Sequence, residues 1–502
     1  MPPGQFGAPP PRPPRMGLFA SPTALRAALL NLSGFGAGYL YLRQWIFFGV
    51  ALVVTIGLLV GAALHGAADN PLIWVPVLLV WFLAAGVHGL FAGRSHDERA
   101  TAAGGEPARR LAPVLTAVGL VVAVVAALAG VWQAGEWRLR VADAAHARGD
   151  CDGAVSIYEQ VEGGFQLSMS PSLMDRARSG VEACGILTRA QGQVSSEDYD
   201  QALDTYNSYF AHPASRWEDT DGEVADIHLS HAASLANAAA EAYTGEITDE
   251  IRNDFQRAHE IYSVIPVDYE GTEAAGRVPD AMVELYEVGT SDYAEELWCD
   301  AFDQIGVFAD LDWSLAPAVA ERIDAEAPEA ARQCGWAEVD GGDADRAEEM
   351  TDFLAAEYPD HEADDVEDLV RHVGAAQVEA EMDLLRAGGE STLEVQSTGS
   401  AGGGQAVLNF TNDSAYDMRL LYVGPDGVHD DITAAGCEDC EDYSSPPSGN
   451  SCFDRGGEAV RVELEPGEYR VLLVLVGKTR PMHGTVNLSG GNEYQSCFYL
   501  VE

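Results

Sequence analysis

The sequence predicts a multidomain membrane protein with three transmembrane α-helices, an all-α domain of helical hairpins, and a C-terminal β-sandwich. Three observations predict this. Three long apolar runs lie near the N-terminus, a helical period with abundant alanine fills residues 134–387, and the period falls to two after residue 405.

Charge divides the chain in the same way. The 502 residues hold 79 acidic against 29 basic side chains, a net charge of −50. Through Gln133 there are eight arginines against four acids, which leaves 21 basic and 75 acidic residues for the remainder. Such a polyanion repels phosphate backbones, so nucleic acid is excluded as an expected partner. Attraction for cations or basic proteins, solubility, and salt adaptation all stay open as reasons for the acidity.

Crossing about 30 Å of hydrocarbon takes roughly 20 apolar residues. Trp45–Leu64, Leu72–Ala92 and Leu111–Val131 meet that need, and none contains Asp, Glu, Lys or Arg. The eight early arginines lie in the tail, in residues 24–43 and in the 93–110 linker, while the turn 65–71 has none. The positive-inside rule therefore puts the N-terminus and the linker in the cytoplasm and everything after Trp132 outside. Trp45, Trp74 and Trp132 fall at span ends, where the interface favours them. Residues 1–23 read as a proline-rich, extended cytoplasmic tail within a plasma-membrane, multi-pass topology, and the first span acts as an uncleaved signal-anchor.

Residues 24–41 read as an interfacial or re-entrant helix, with a fourth span as the alternative. Gly34, Gly36, Gly38, Tyr39 and Tyr41 form a Gly-rich turn leading into aromatic residues. This stretch resembles the start of the small two-helix TM2 membrane domain. The GxGxG is not a dinucleotide motif, because no strand–turn–helix surrounds it.

In the helical region, segments 149–161, 197–213, 254–266 and 342–359 share an acidic start, an early alanine and a later aromatic or methionine. The pattern resembles the second half of the tetratricopeptide repeat. Marked by Ala154, Ala202, Ala258 and Ala347, however, the units are 48, 56 and 89 residues apart, so an irregular hairpin array is expected, with a generic helical bundle as the alternative. An array of this kind implies peptide or protein recognition on its concave face. Tyr158, Tyr206, Tyr209 and Tyr262 read as packing residues.

Residues 388–404 read as a Gly/Ser-rich linker broken by a short strand at 392–396, and 405–502 as a β-sandwich apolar on one face of each strand. Strands are expected at 405–412, 417–424, 459–465, 468–477, 484–490 and 495–502.

All eight cysteines follow Trp132, which independently indicates an oxidising compartment. Cys151 with Cys184 and Cys299 with Cys334 have spacings that suit stapled hairpins. In the β region Cys452 is paired with Cys497, and Cys437 with Cys440, although eight cysteines allow 105 connectivities. The 437–440 CxxC also admits zinc, with Cys452 and Cys497 as further ligands, or redox chemistry. The acids around it disfavour a reactive thiolate.

No HExxH, GxSxG, P-loop or kinase signature is present. The cluster Asp340–Asp345 lacks the closing Glu of a calcium loop and reads as a capping turn. The expected function is thus a membrane-anchored extracytoplasmic interaction or scaffold protein of the cell envelope, not an enzyme, with the lipid bilayer and an envelope protein as partners and no cofactor. The alternative is a sensor or transport accessory whose β domain binds a small ligand or cation. Lys478 is the sole lysine, and with the abundant Ala, Gly and Asp this usage resembles that of a high-GC, actinobacterial-type bacterium.

Overall fold

The computed structural model describes residues 21–102, 112–165, 169–386, 393, 395–437, 440, 443–444, 458–476 and 481–501. Most of the proline-rich tail, the end of the 93–110 linker and Cys452 lie outside the described residues. Two compact units divide between Ile227 and His228, and each is described by itself.

The first unit opens with α1 (Pro22–Asn31) and α2 (Ala37–Tyr41). Ser21 caps α1 by accepting from Ala24 N at 3.1 Å, and Pro22 occupies the first turn, where no N–H is needed. Gly34 (φ +78°) and Gly36 (φ +70°) then break the helix, since a side chain would strain a left-handed backbone. With 10 and 5 residues, neither helix is long enough to cross the hydrocarbon.

Next come α3 (Trp45–Leu64) and α4 (Pro71–Ala102), which between them contain two segments, Trp45–Leu64 and Pro71–Arg99, long and apolar enough to cross a membrane. Their apolar surface is largely uncovered, with Ile46 81% and Leu72 90% exposed, which water would penalise and lipid does not. α4 continues into the segment expected as linker, and an Arg94–Glu98 pair one turn apart at 2.9 Å lies on that extension. Along α4, Gly86, Gly89 and Gly93 form a stripe against α1. A Cβ at Gly93 would lie 2.5 Å from the Ala24 Cα, so the two backbones touch as small residues permit.

The third expected span falls in α5 (Ala112–His146), whose 35 residues extend about 52 Å. Its last turns bury Leu139, Ala142, Ala145 and His146. α6 (Cys151–Gly164), α7 (Pro171–Ser195) and α8 (Tyr199–Phe210) follow, each packed on its chain neighbour. Ala154, Ala177, Ala190 and Ala202 are fully buried at these contacts. Tyr158 lies against Gly180, where any side chain would strike its ring.

α9 (Glu223–Ala242) runs across the unit boundary. The second unit continues with α10 (Asp249–Asp268), α11 (Glu273–Gly289), α12 (Trp298–Phe308), α13 (Pro317–Gly341), α14 (Ala344–Glu357) and α15 (Ala363–Arg386). Two four-stranded sheets complete it. One has the order β1 (Gln396–Ser400), β8 (Asn492–Phe498), β2 (Ala406–Asn412), β5 (Ala459–Leu464), with β2 and β8 parallel. The other has the order β4 (His429–Ala434), β3 (Met418–Val423), β6 (Gly467–Leu475), β7 (Met482–Leu488), all antiparallel. Leu408 and Phe410 of the first sheet share one buried cluster with Leu420, Tyr469, Val471 and Leu473 of the second.

The expectation of one apolar face fails on the second sheet. Leu421, Val423, Leu472 and Val474 point away from the shared cluster and pack on Val378, Met382 and Leu385 of α15. That double cover explains the unbroken VLLVL of β6, a pattern of strands buried on both faces. β4 was absent from the expected strands because HDDITA is an edge segment with two charges side by side.

Candidate functional site

The chemistry-bearing residues of the sequence are its cysteines. Cys299, near the start of α12, and Cys334, within α13, form a disulfide with Cα atoms 4.7 Å apart. Cys437 and Cys440 form a second one. Both lie in non-helical chain, and among the described residues around them there is no helix N-terminus to favour a thiolate. Cys497 in β8 is disulfide-bonded, and its expected partner Cys452 lies outside the described residues.

The disulfide expected between Cys151 and Cys184 is not formed in the structure, where both stand as buried, neighbouring free thiols. Their sulfurs and a ring nitrogen of His146 all lie within 4.8 Å of one another. His146 is fully buried as the last residue of α5, a position with no motif in the sequence to mark it. The Tyr209 hydroxyl accepts from the backbone N–H groups of Arg216 (3.0 Å) and Trp217 (2.7 Å) and lies 2.9 Å from His146 Nε2. With both lone pairs engaged, that hydroxyl has only its proton left for Nε2, so it donates and Nε2 accepts. Burial, helped by Arg216 and opposed by Asp143, holds the imidazole pKa below its ordinary value. The neutral ring therefore carries its hydrogen on Nδ1, and neither nitrogen presents a free lone pair to a metal. A second grouping, Cys299, Cys334 and Glu338, is close enough for a metal, but its sulfurs are already bonded to each other.

A different kind of site joins the apolar helices to the helical region. In the turn between α3 and α4, Asp69 Oδ1 accepts from Ser170 Oγ at 2.5 Å and Oδ2 from the Ser172 N–H at 2.9 Å. α7 makes no capping bond through its own N-cap side chain, so a carboxylate from a hundred residues upstream fills that role. Ala68 N also donates to Met169 O at 3.1 Å, and Gly66 (φ +64°) packs on Pro171. Burial opposes ionisation of Asp69, but the bonds from Ser170 and Ser172, with Arg176 nearby, outweigh it and hold the carboxyl below its ordinary value.

In the second unit, a cleft of about 110 Å³ opens between the end of α15 and edge strand β7, lined by Asp383, Arg470, His483 and Thr485 among others. Arg470 is neutralised there by Glu379 at 2.9 Å and Asp383 at 2.8 Å. His483 Nε2 is buried with no partner among the described residues. Tyr158, Tyr206, Tyr209 and Tyr262 are all at most 3% exposed, inside the helical packing. No family model, curated protein or solved structure matches the chain.

Proposed function

We propose that this chain is a membrane-anchored interaction or scaffold protein of a bacterial cell envelope, without catalytic activity. In this reading three spans hold a TPR-like helical array and a β-sandwich outside the cytoplasm, and the N-terminal tail stays inside. The observation that carries it is the joint at Asp69. A turn between two membrane-length helices caps α7, which supports turn and helical region sharing one side, and that turn lacks arginine as an outer turn should. The cysteines, all beyond Trp132 and bonded at 299–334 and 437–440, support the same side. Cross-linking with a membrane-impermeant reagent, followed by gentle detergent extraction, tests the scaffold role. A partner recovered in fixed proportion, with cross-links mapping to residues 134–386, is expected. Recovery of the chain without any partner would sink the reading.

The second reading, a sensor or transport accessory, draws on the His483 cleft. Full-length protein in detergent should then gain thermal stability with Ca²⁺, Zn²⁺ or an envelope glycan, and lose that gain in His483→Ala.

A further inference from the structure

Residues 150–210 and 298–355 have the same organisation. Each begins with a helix carrying a Cys-Asp pair, Cys151-Asp152 in α6 and Cys299-Asp300 in α12. Each continues with a 25-residue helix opened by proline, α7 from Pro171 and α13 from Pro317, and each of these carries a Cys-Gly pair, Cys184-Gly185 and Cys334-Gly335. The third helix follows an Asp-x-Asp-x-Ala signature, Asp198, Asp200 and Ala202 in one case and Asp343, Asp345 and Ala347 in the other.

Burial and contacts repeat as well. Ala202 and Ala347 are both fully buried, as are Tyr209 and Leu354 seven residues further on. The residue four positions after the second cysteine turns back to the first in both cases. Thr188 hydrogen-bonds Cys151, and Glu338 Oε1 lies 3.3 Å from Cys299 Sγ. The copies differ in where the cysteine sits on the long helix. Cys184 has 11 residues of α7 after it and Cys334 has seven of α13, a shift of about one helical turn that keeps each sulfur on the inner face.

We propose that the chain carries this three-helix unit twice, and that Cys151 and Cys184, like Cys299 and Cys334, are joined by a disulfide in the mature protein. The inference rests on the extracytoplasmic reading, because bond formation needs an oxidant. Two S–H bonds break and one S–S bond forms, while two electrons and two protons pass by thiol–disulfide exchange to an external disulfide, which is reduced to its dithiol. The sulfurs are already neighbours, and the hydrogen bond between them holds the Cys151 thiol below its ordinary pKa, which helps the first attack. Metal binding is the weaker use of the pair, since Tyr209 donates to His146 Nε2 and the other nitrogen carries the proton.

Full-length protein extracted from membranes into detergent with N-ethylmaleimide and no reductant, then proteolysed and mapped by mass, tests the proposal. The expected result is two linked peptide pairs, 151 with 184 and 299 with 334, each lighter by two hydrogens than its thiols. Alkylated Cys151 and Cys184 beside a linked 299–334 pair overturns the inference and leaves the compartment reading standing. Alkylation at all four overturns both. Thiols released only on denaturation, with a stoichiometric transition metal by elemental analysis, overturns it in favour of a metal centre.

Discussion

Asp69 caps a helix that begins 102 residues after it. Its Oδ2 accepts from the Ser172 N–H at 2.9 Å, tying the turn between α3 and α4 to the first turn of α7. The contact joins an apolar, lipid-suited part of the chain to an acidic, water-suited one. Replacing Asp69 by Ala should cost about 1 kcal/mol, the usual worth of an N-cap, seen as a lower thermal midpoint and faster proteolysis near residues 165–171. The carboxyl is held below its ordinary pKa, so its contribution is fully present above the ordinary carboxylate range and fades as pH falls through the lowered value. An unchanged midpoint in Asp69→Ala would show that the joint is held by packing alone.

Cys299 and Cys334 close a loop of 35 residues. Loop-closure entropy for that length predicts a loss of about 3–4 kcal/mol when both become Ser. Denaturant unfolding of the variant beside the parent protein measures it, and a loss below about 1 kcal/mol contradicts the staple.

α15 and the second sheet are held by apolar contact more than by charge. Leu472 is fully buried between them, so Leu472→Ala should cost about 2–5 kcal/mol. Arg470, Glu379 and Asp383 keep 39%, 39% and 62% of their side chains exposed, and Arg470→Gln should cost less than about 1 kcal/mol. The reverse ranking in denaturant midpoints would mean that the ion pairs anchor the helix.

Burial lowers the pKa of His146, His228 and His259. The unfolded chain therefore binds more protons than the folded one below the ordinary imidazole pKa of about 6.5. Stability should be complete above that pH and fall as the solution is acidified below it. Replacing His146 by Phe should flatten this slope between pH 7 and 5, and it should lower the midpoint because the Tyr209 proton loses its acceptor, at about 1–3 kcal/mol. A slope identical to the parent's would remove His146 from the account.

The helices long and apolar enough to cross a membrane were legible because uninterrupted apolarity over 20 residues needs no partner to be recognised, and Trp45–Leu64 is a helix with the expected bounds. The Asp69 joint was not legible. A lone acid in a short turn looks like solvated charge until chain a hundred residues away presents open N–H groups to it. The strands β2, β3, β5 and β6 lie within about two residues of their expected bounds, whereas β4 is too polar to stand out. The apolar outer positions Leu472 and Val474 were visible in the sequence, but their meaning required α15, which a Gly-rich segment separates from the strands in the chain. His146 was hidden for a related reason, since its role comes from Tyr209 and two backbone N–H groups on another helix and its loop.

The side of the membrane that each part of the chain occupies can be measured directly. Single cysteines placed at Ala68, Glu246 and Ala108 can be probed in intact cells with an impermeant maleimide. Labelling is expected at 68 and 246 from outside and at 108 only after permeabilisation. Labelling at 108 from outside, with 68 and 246 protected, would contradict it.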